Sequence, residues 1–292
     1  MGRKSIIDEV KKRQAELGDS VVIKDAGMTV YTNNGELSKG CQYCKQGIGY
    51  PAELGFKCNL DCSFCPIEIP PVENNMTGYD HAKFFEIFQF DPFLSYAYTG
   101  GEPLLYFDDM VYIASQVDSG IYQHFYTNGV LLTEEKAKTL YDAGINEIRF
   151  NLLATNFSDE IIEKISYCEK IFDLVCVEVP VMQETYNFLV RKGKLKEIVS
   201  RGVRQLNLGE MYLTSNKSRA NLGDRGTYNY TSLFFRVNNI LEESRLLTYD
   251  IIKYSIENNI DILINDCSCE AKELQIMKIN KYGNIGRQVI WT

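Results

Sequence analysis

Three cysteines within a ten-residue stretch constrain this chain more than any other feature. The stretch Lys57–Pro66 reads KCNLDCSFCP, so three residues separate Cys58 from Cys62 and two separate Cys62 from Cys65. Cysteine thiolates are the usual ligands of iron–sulfur clusters, and this trio can hold three irons of a [4Fe–4S] cube. The fourth iron then stays open to a substrate or cofactor. A zinc knuckle, or buried thiols without metal, is the alternative, but zinc ligands usually come as C-x2-C pairs.

A second group of cysteines lies outside this triplet. Cys41 and Cys44 form a C-x2-C pair, and Cys267 and Cys269 lie far along the chain. Together the four thiols can complete a zinc site or a second iron–sulfur cluster that joins the two ends of the chain. A redox pair, or buried thiols without metal, is the alternative. If Cys269 is not a ligand, the second metal has an opening for substrate.

Composition narrows the classes of function. The formal net charge of −8 argues against a general nucleic-acid binder, because such a protein needs a basic face. A basic stretch over 191–204 leaves a tRNA-modifying enzyme open, although a solvated helix face explains it more simply. No run of about eighteen apolar residues predicts a membrane span, and the N-terminus lacks the apolar core of a signal peptide. We therefore expect a cytoplasmic protein whose nine cysteines serve as metal ligands or buried thiols.

Strand-like and helix-like stretches alternate along the chain. The strand-like stretches lie near 52–57, 95–99, 122–126, 146–152, 174–181, 204–208 and 260–264. The helix-like stretches lie near 80–89, 104–117, 133–143, 158–167, 186–199 and 247–258. Alternation of this kind predicts an α/β fold with a parallel sheet and helices packed outside it.

The flanking regions suggest three parts. An N-terminal extension over 1–50 carries the C-x2-C pair, with a helix over 3–17 and two short strands, VVIK and MTVY. A barrel domain follows over 51–265, in which 212–230 is an irregular insert that can order as a lid. The C-terminal segment over 266–292 carries the C-x-C pair and reads as a β-hairpin from 272 onward, turning at 282–284.

Polar residues follow the ends of the predicted strands, where the chemistry of a parallel barrel collects. Gly100-Gly101-Glu102 ends one strand; glycines let a backbone approach a ligand, and a carboxylate accepts hydrogen bonds from an ammonium. The other strand-end candidates are Asn151, Glu178, Asn207 and Glu210. Taken singly, each is also compatible with a turn or strand cap, and a buried Glu178 needs a partner in any case.

The triplet and the Gly-Gly-Glu turn together resemble the radical S-adenosylmethionine (SAM) superfamily. Phe64, immediately before the third cysteine, is an aromatic often found there. The stretch from roughly 40 to 275 is also similar to an uncharacterised branch related to pyruvate formate-lyase activating enzymes. The resemblance implies a partial (β/α)6 TIM-like barrel with N-terminal and C-terminal extensions. It also implies a [4Fe–4S] cluster on Cys58, Cys62 and Cys65 that cleaves SAM to a 5′-deoxyadenosyl radical.

The same resemblance implies roles for the strand-end residues. The SAM-binding candidates are Phe64, Gly100, Gly101, Glu102, Asn151 and Glu178, where Glu178 can instead pair with an arginine. Asn207 and Glu210 are the candidates to face substrate. Flavodoxin or ferredoxin is the implied reductant. We expect a peptide or protein side chain as substrate, with a small metabolite as the alternative and a non-catalytic iron–sulfur or zinc module as the rival class.

Overall fold

The computed structural model describes residues 3–67, 93–232 and 236–281. Its strands are β1 (Val21–Lys24), β2 (Thr29–Thr32), β3 (Gly49–Gly55), β4 (Ser95–Gly100), β5 (Tyr122–Thr127), β6 (Glu147–Phe150), β7 (Leu174–Val181), β8 (Gln205–Glu210), β9 (Thr227–Thr231), β10 (Arg236–Leu241) and β11 (Leu263–Cys267). Its helices are α1 (Arg3–Leu17), α2 (Lys39–Gln46), α3 (Phe107–Gln116), α4 (Glu134–Asp142), α5 (Asp159–Cys168), α6 (Gln183–Tyr186), α7 (Leu195–Ser200), α8 (Asn216–Leu222), α9 (Glu242–Glu257) and α10 (Cys269–Lys281).

The main sheet is largely parallel. Within the described ranges it has nine strands in the order β1-β2-β11-β8-β7-β6-β5-β4-β3. Strands β3 to β8 and β11 run parallel, whereas β1 and β2 form an antiparallel hairpin that pairs with β11. This confirms the predicted α/β class and the partial TIM-like barrel. The carboxyl ends of the parallel strands therefore meet at one edge of the sheet.

The two faces of this sheet differ in polarity because side chains alternate along each strand. The outer face carries buried apolar side chains such as Phe125, Ile148 and Leu206, and the helices pack their apolar stripes against it. The inner face carries the alternate residues of the same strands, which are mostly polar: His124, Tyr126, Glu147, Arg149, Glu178, Gln205, Asn207 and Asn265. Buried polar groups need hydrogen-bond partners, so the polar side chains of this inner face must find theirs within the protein.

Helix α2 crosses the inner face, and the residue that begins it provides some of these hydrogen-bond partners. Ser38 begins the helix, and its side chain accepts a hydrogen bond from the Cys41 amide. The Ser38 amide donates to Gln205 Oε1 at 2.8 Å, while Arg149 Nη2 donates to Ser38 Oγ at 3.3 Å. A Cβ at Gly40 would lie 2.7 Å from Arg149 Nη2, so glycine is what allows the helix to sit this close.

The N-terminal region is integrated with the rest of the fold. Helix α1, which the sequence predicts over 3–17, packs on α9: Gln14 Nε2 donates to Tyr249 Oη at 2.6 Å, and Arg13 pairs with Asp250. The predicted strands VVIK and MTVY form β1 and β2 and extend the sheet beyond β11. None of the helices in the described part of the chain combines the length and apolarity that a membrane crossing requires.

The predicted C-terminal hairpin is wrong where the structure describes it. Residues from Cys269 to Lys281 form helix α10, and the predicted turn at 282–284 lies outside the described residues. The alternation of LQIMKI resembles a strand, but alanine, lysine, glutamate, leucine and methionine are strong helix formers. Ala271, Leu274 and Ile279 are buried, and the end of the helix packs on Gly47.

The region over 212–230 also differs from its prediction as an irregular insert. It contains α8 and β9, and β9 pairs with β10 in an antiparallel hairpin. Two other segments change in detail. The strand predicted near 260–264 is β11, and the helix predicted over 186–199 divides near Gly193, which has a φ of +66°. The helix predicted near 80–89 lies outside the described residues.

The contact of α2 with the inner face yields a prediction. We expect Gly40→Ala to destabilise the protein by about 1–3 kcal/mol, because the new methyl group meets Arg149 and His124 where neither can move away freely. Gly223→Ala is the matched control, since a Cβ there has no neighbour within 4 Å. The measurement is the free energy of unfolding in denaturant. Equal values for the two variants would contradict the close packing of α2.

Candidate active site

The cysteine triplet lies on a loop that crosses the carboxyl ends of the parallel strands. The loop follows β3, and its contacts reach the segments after β5, β6 and β8. Asn128 Nδ2 donates to Asn59 Oδ1 at 2.8 Å, and Cys62 Sγ lies 3.8 Å from the carbonyl oxygen of Ala154. On the far side, Ser215 Oγ donates to the Cys65 carbonyl at 2.6 Å. The loop is therefore held by the same edge where strand-end candidates collect.

Gly100 and Gly101 fix the start of this loop through backbone contact. The Gly101 amide donates to the Gly55 carbonyl at 2.8 Å, and the Glu102 amide donates to the Lys57 carbonyl at 2.8 Å. A Cβ at Gly100 would lie 2.2 Å from Gly55 O, and one at Gly101 would lie 2.1 Å from Lys57 O. These glycines are thus required by the approach of β4 to the cysteine loop, whatever ligand they also meet.

Glu102 is buried at this junction, with 1% of its surface exposed. Its Oε1 accepts hydrogen bonds from Thr127 Oγ1 at 2.8 Å and the Leu104 amide at 3.1 Å. Its Oε2 accepts from the Asn128 amide at 2.8 Å. Burial raises the pKa of Glu102, and these hydrogen bonds partly oppose that rise. The carboxylate therefore joins the ends of β4 and β5.

The three loop thiols are close enough to influence one another. Burial raises the pKa of Cys62 to about 11, with further increases from Cys65 and Cys58, and burial also raises the pKa of Cys58. The Leu60 amide donates to Cys58 Sγ at 3.5 Å. Three soft sulfur donors in one loop fit an iron–sulfur cluster by their chemistry. No three potential ligands in the described residues are already gathered around one point, so a metal would draw the thiols together.

Two further SAM candidates lie beside the loop or at the end of β6. Phe64 is buried within the core, between the second and third cysteines of the triplet. Asn151 follows β6, where its Oδ1 accepts a hydrogen bond from the Ala154 amide at 3.3 Å and caps a short 3₁₀ turn. That turn carries the carbonyl that faces Cys62. Asn151 thus lies within one turn of the cysteine loop.

Glu178 and Asn207 point to the inner face of the sheet. Glu178 Oε2 accepts from Arg149 Nη1 at 3.1 Å and from Asn207 Nδ2 at 2.9 Å. Arg149 also pairs with Glu147 at 2.7 Å, so one buried guanidinium serves two carboxylates. Glu178 is 25% exposed and is the part of this network open toward the interior of the barrel. An arginine is thus its partner in this structure.

Glu210 does not face the barrel interior, contrary to expectation. Asn207 and Glu210 are three residues apart on one strand, so they lie on opposite faces. Glu210 is 4% exposed, accepts a hydrogen bond from Tyr228 and accepts one from the Cys269 amide at 2.8 Å. Burial raises its pKa, and nearby Arg245 opposes the rise. This environment on the outer side of the sheet makes Glu210 a structural residue.

Cys269 has different surroundings from the other three members of the second cysteine group, Cys41, Cys44 and Cys267. Burial and the nearby thiols of Cys267 and Cys41 raise the pKa of Cys44 to about 12. Burial raises the pKa of Cys267 to about 11, and the nearby charge of Glu178 is the second cause of this rise. Cys269 instead begins α10, is fully buried and has its thiol against Glu210. The thiol of Cys44 thus interacts electrostatically with those of Cys267 and Cys41, whereas the thiol of Cys269 lies against Glu210.

Sequence reasoning missed several residues that shape the site. Arg149 reads as an ordinary strand residue, although a charge inside an apolar run signals a buried partner. Thr127 and Asn128, which hold Glu102, were visible only as strand-end polar residues. Lys217, which pairs with Asp61 of the cysteine loop, lies in the segment expected to be irregular. Its position on α8 ties the loop to the region after β8.

Comparisons with known proteins agree with this arrangement. The family model described as the radical SAM superfamily matches residues 52–175. A Methanocaldococcus jannaschii protein named as a glycyl-radical enzyme activating enzyme is 25% identical over 276 residues, covering 87% of this chain and 70% of that protein. PqqA peptide cyclase of Methylocella silvestris is 29% identical over 110 residues, covering 36% of this chain and 29% of the cyclase.

A solved structure shares the fold. SuiB of Streptococcus suis, bound to S-adenosylmethionine, has a TM-score of 0.53 at 15% identity and covers 75% of this chain. SuiB bound to its precursor peptide SuiA has a TM-score of 0.51 at 16% identity and covers 91% of this chain. The chain spans only 50% and 60% of SuiB in these two comparisons. At such identities the likeness concerns the fold alone.

The buried carboxylate of Glu102 yields a prediction. Glu102→Gln keeps the shape of the side chain but replaces one acceptor oxygen with an NH2 group that faces a hydrogen-bond donor. We expect a loss of about 1–3 kcal/mol in the free energy of unfolding. Glu36→Gln, at an exposed carboxylate in the segment before α2, is the control and should leave stability nearly unchanged. A Glu102→Gln protein as stable as the parent would show that these hydrogen bonds contribute little.

The buried thiol of Cys44 yields a prediction about pH. Its pKa is raised from 9.0 to about 12, so folding favours the protonated thiol. The resulting stabilisation of the metal-free protein is complete below about pH 9 and is lost as the pH rises toward 12. We expect the unfolding free energy of metal-free Cys44→Ala to fall less steeply between pH 9 and 11 than that of the parent. Parallel curves would contradict the raised pKa.

Proposed function

The chain is an enzyme of the radical SAM superfamily, whose cofactors are a [4Fe–4S] cluster and SAM, and from this premise we propose that it abstracts a hydrogen atom from a peptide or protein side chain. Cys58, Cys62 and Cys65 hold the cluster. When bound, the reduced cluster and SAM supply the 5′-deoxyadenosyl radical that performs the abstraction. The observation that carries the proposal is the position of the cysteine loop across the strand ends, directly against the Gly100-Gly101 turn.

The chain's own residues position the cofactors and shield them. The Gly100-Gly101 backbone holds the loop at a fixed distance from β4, and Glu102 ties that turn to β5. Phe64 lies within the loop and Asn151 lies beside it, and both are candidates to contact SAM. Glu178, which is 25% exposed, and its buried hydrogen-bond partner Asn207 are the candidates to meet substrate or SAM. Glu210 has no such role, because it lies on the other face of the sheet.

The choice of a peptide or protein substrate rests on relatives. The relative from Methanocaldococcus jannaschii is named for the activation of an enzyme, and the relative from Methylocella silvestris is named for the cyclisation of a peptide. Both names describe polypeptide substrates. The conversion of a small metabolite is the alternative. An electron must also reach the cluster, and we propose flavodoxin or ferredoxin as its source.

The first test concerns the cluster and SAM cleavage. Cys62→Ala, reconstituted anaerobically and reduced with dithionite, should lose the cluster iron and release at least about 100-fold less 5′-deoxyadenosine from SAM than the parent. Cys168→Ala is the matched control, because that thiol is buried on α5 away from the loop. The readouts are iron per chain and 5′-deoxyadenosine by chromatography. Undiminished SAM cleavage by Cys62→Ala would overturn the proposal.

The second test concerns the substrate. Cells that contain the enzyme are grown on deuterated medium, and their extract is separated by size into a polypeptide fraction and a small-metabolite fraction. Each fraction is supplied to the reduced enzyme with unlabelled SAM. We expect deuterium to enter 5′-deoxyadenosine with the polypeptide fraction. Transfer only from the small-metabolite fraction would identify the alternative substrate class.

A further inference from the structure

A groove opens where strand β10 separates from the segment that follows β8. At one end the two chains are paired: the Leu241 amide donates to the Met211 carbonyl at 2.9 Å, and the Leu213 amide donates to the Asn239 carbonyl at 3.0 Å. Toward Arg236 this pairing stops, and the chains enclose a space of about 230 Å³. We call this space the β10 groove. It is lined by residues 212–214, 219 and 236–239.

A β-bulge in β10 accounts for the separation. The register of β10 against β9 shifts between Val237 and Ile240, and Asn239 lies within the shift with a φ of +56°. Asparagine adopts this left-handed conformation more readily than most residues, and the Asn239 amide donates to Asn229 Oδ1 at 3.0 Å. A bulge bends its strand. The bend therefore carries the first residues of β10 away from the segment after β8.

The first residues of β10 are paired on one edge only. Arg236 and Val237 pair with Thr231 and Tyr230 of β9. Among the described residues, no backbone hydrogen bond reaches the opposite edge of β10 before Asn239, and that edge borders the groove. Alternate residues of a strand direct their backbone N–H and C=O groups to opposite edges. The groove therefore offers backbone donors and acceptors to a second extended chain, as open strand edges do.

The charge of the groove is positive, although the whole chain has a formal net charge of −8. The described residues that line it include Arg219 and Arg236 but no carboxylate. Arg219 Nη2 donates to Asn216 Oδ1 at 2.7 Å, and its Nη1 donates to the Thr214 carbonyl, so neutral acceptors hold this guanidinium in place. Arg236 is exposed and forms no ion pair with any described residue. Each guanidinium has five N–H donors, so both keep donors for a carboxylate ligand.

The groove shares a wall with the cysteine loop. Thr214 lines the groove, and its Oγ1 donates to the Pro66 carbonyl at the end of that loop at 2.7 Å. The next residue, Ser215, donates from Oγ to the Cys65 carbonyl at 2.6 Å. A chain that lies in the groove is therefore adjacent to the segment that carries the third cysteine of the triplet.

We propose that the β10 groove binds an acidic segment of the polypeptide substrate as an added strand along β10. This inference rests on the proposed function and deepens it by naming where and how the substrate is held. Backbone hydrogen bonds to β10 hold the segment, and Arg219 and Arg236 select carboxylate side chains. A nucleic acid matches the two arginines but not the strand edge, and the negative charge of the chain opposes it.

The experiment uses model peptides, because the natural substrate is not needed to test this chemistry. Fluorescein-labelled peptides of alternating glutamate and threonine, or of alternating glutamine and threonine, are titrated with the anaerobically reconstituted enzyme and followed by fluorescence anisotropy. We expect the glutamate peptide to bind about tenfold or more tightly than the glutamine peptide. N-methylation of alternate amides of the glutamate peptide should weaken binding by about the same factor in one of the two possible registers.

Substitutions then locate the binding surface. Arg219→Met/Arg236→Met should bind the glutamate peptide about tenfold or more weakly than the parent. Arg191→Met/Arg204→Met is the matched control, because it removes the same charge at two exposed arginines outside the groove and should bind like the parent. Circular dichroism checks that all variants are folded.

Three outcomes would overturn the proposal: equal binding of the glutamate and glutamine peptides, equal binding of the glutamate peptide by the two double variants, or no effect of N-methylation in either register. Single-stranded RNA that displaces the glutamate peptide and binds more tightly than it would also overturn the proposal, in favour of a nucleic-acid ligand. Release of 5′-deoxyadenosine from SAM by the parent is measured separately without peptide. Its absence would contradict the proposed function, whereas a failure of peptide binding alone would contradict only the role of the groove.

Discussion

The close backbone contact between the Gly100-Gly101 turn and the segment after β3 is the constraint on which the active site depends. It leaves no room for a side chain at either glycine, so the cysteine loop begins at a defined height above the sheet. Glu102 extends the same contact by binding donors from the end of β5. The loop that carries the three thiols is thus attached to the end of β4 by close backbone contacts, which limits the arrangements those thiols can adopt.

The polar inner face is the second element of this design. Most sheets of this type bury apolar side chains on both faces, but here alternate residues of four strands, β6, β7, β8 and β11, carry amides, carboxylates and a guanidinium. Arg149 lies between Glu147 and Glu178, and α2 closes the remaining space. A buried ion-pair network seldom adds much net stability, because desolvation offsets attraction. Its value here is that Arg149 and Asn207 hold Glu147 and Glu178 in a defined arrangement.

Much of this molecule could be predicted from local patterns. The strand–helix alternation predicted the parallel sheet with its outer helices, because it depends on residues close in sequence. The partial barrel was implied by the family resemblance that the cysteine triplet and the Gly-Gly-Glu turn carry. The errors arose where two patterns compete. Residues 272–281 alternate like a strand but consist of helix formers, and the start of that helix also separates Cys269 from Cys267. The prediction that both Asn207 and Glu210 face substrate could have been avoided, because residues three apart along a strand lie on opposite faces. The partners of Arg149 required the tertiary fold.

Cys41 is linked to Glu178 by the hydrogen bonds of the inner face. Asn207 donates both to Cys41 Sγ and to Glu178, and Arg149 contacts the same two groups. In a buried region of low dielectric, hydrogen bonds that share a donor group influence one another. Glu178 is also the part of the network most exposed to the interior. Asn207 and Arg149 therefore connect helix α2, which carries Cys41, to the most exposed carboxylate of the inner network.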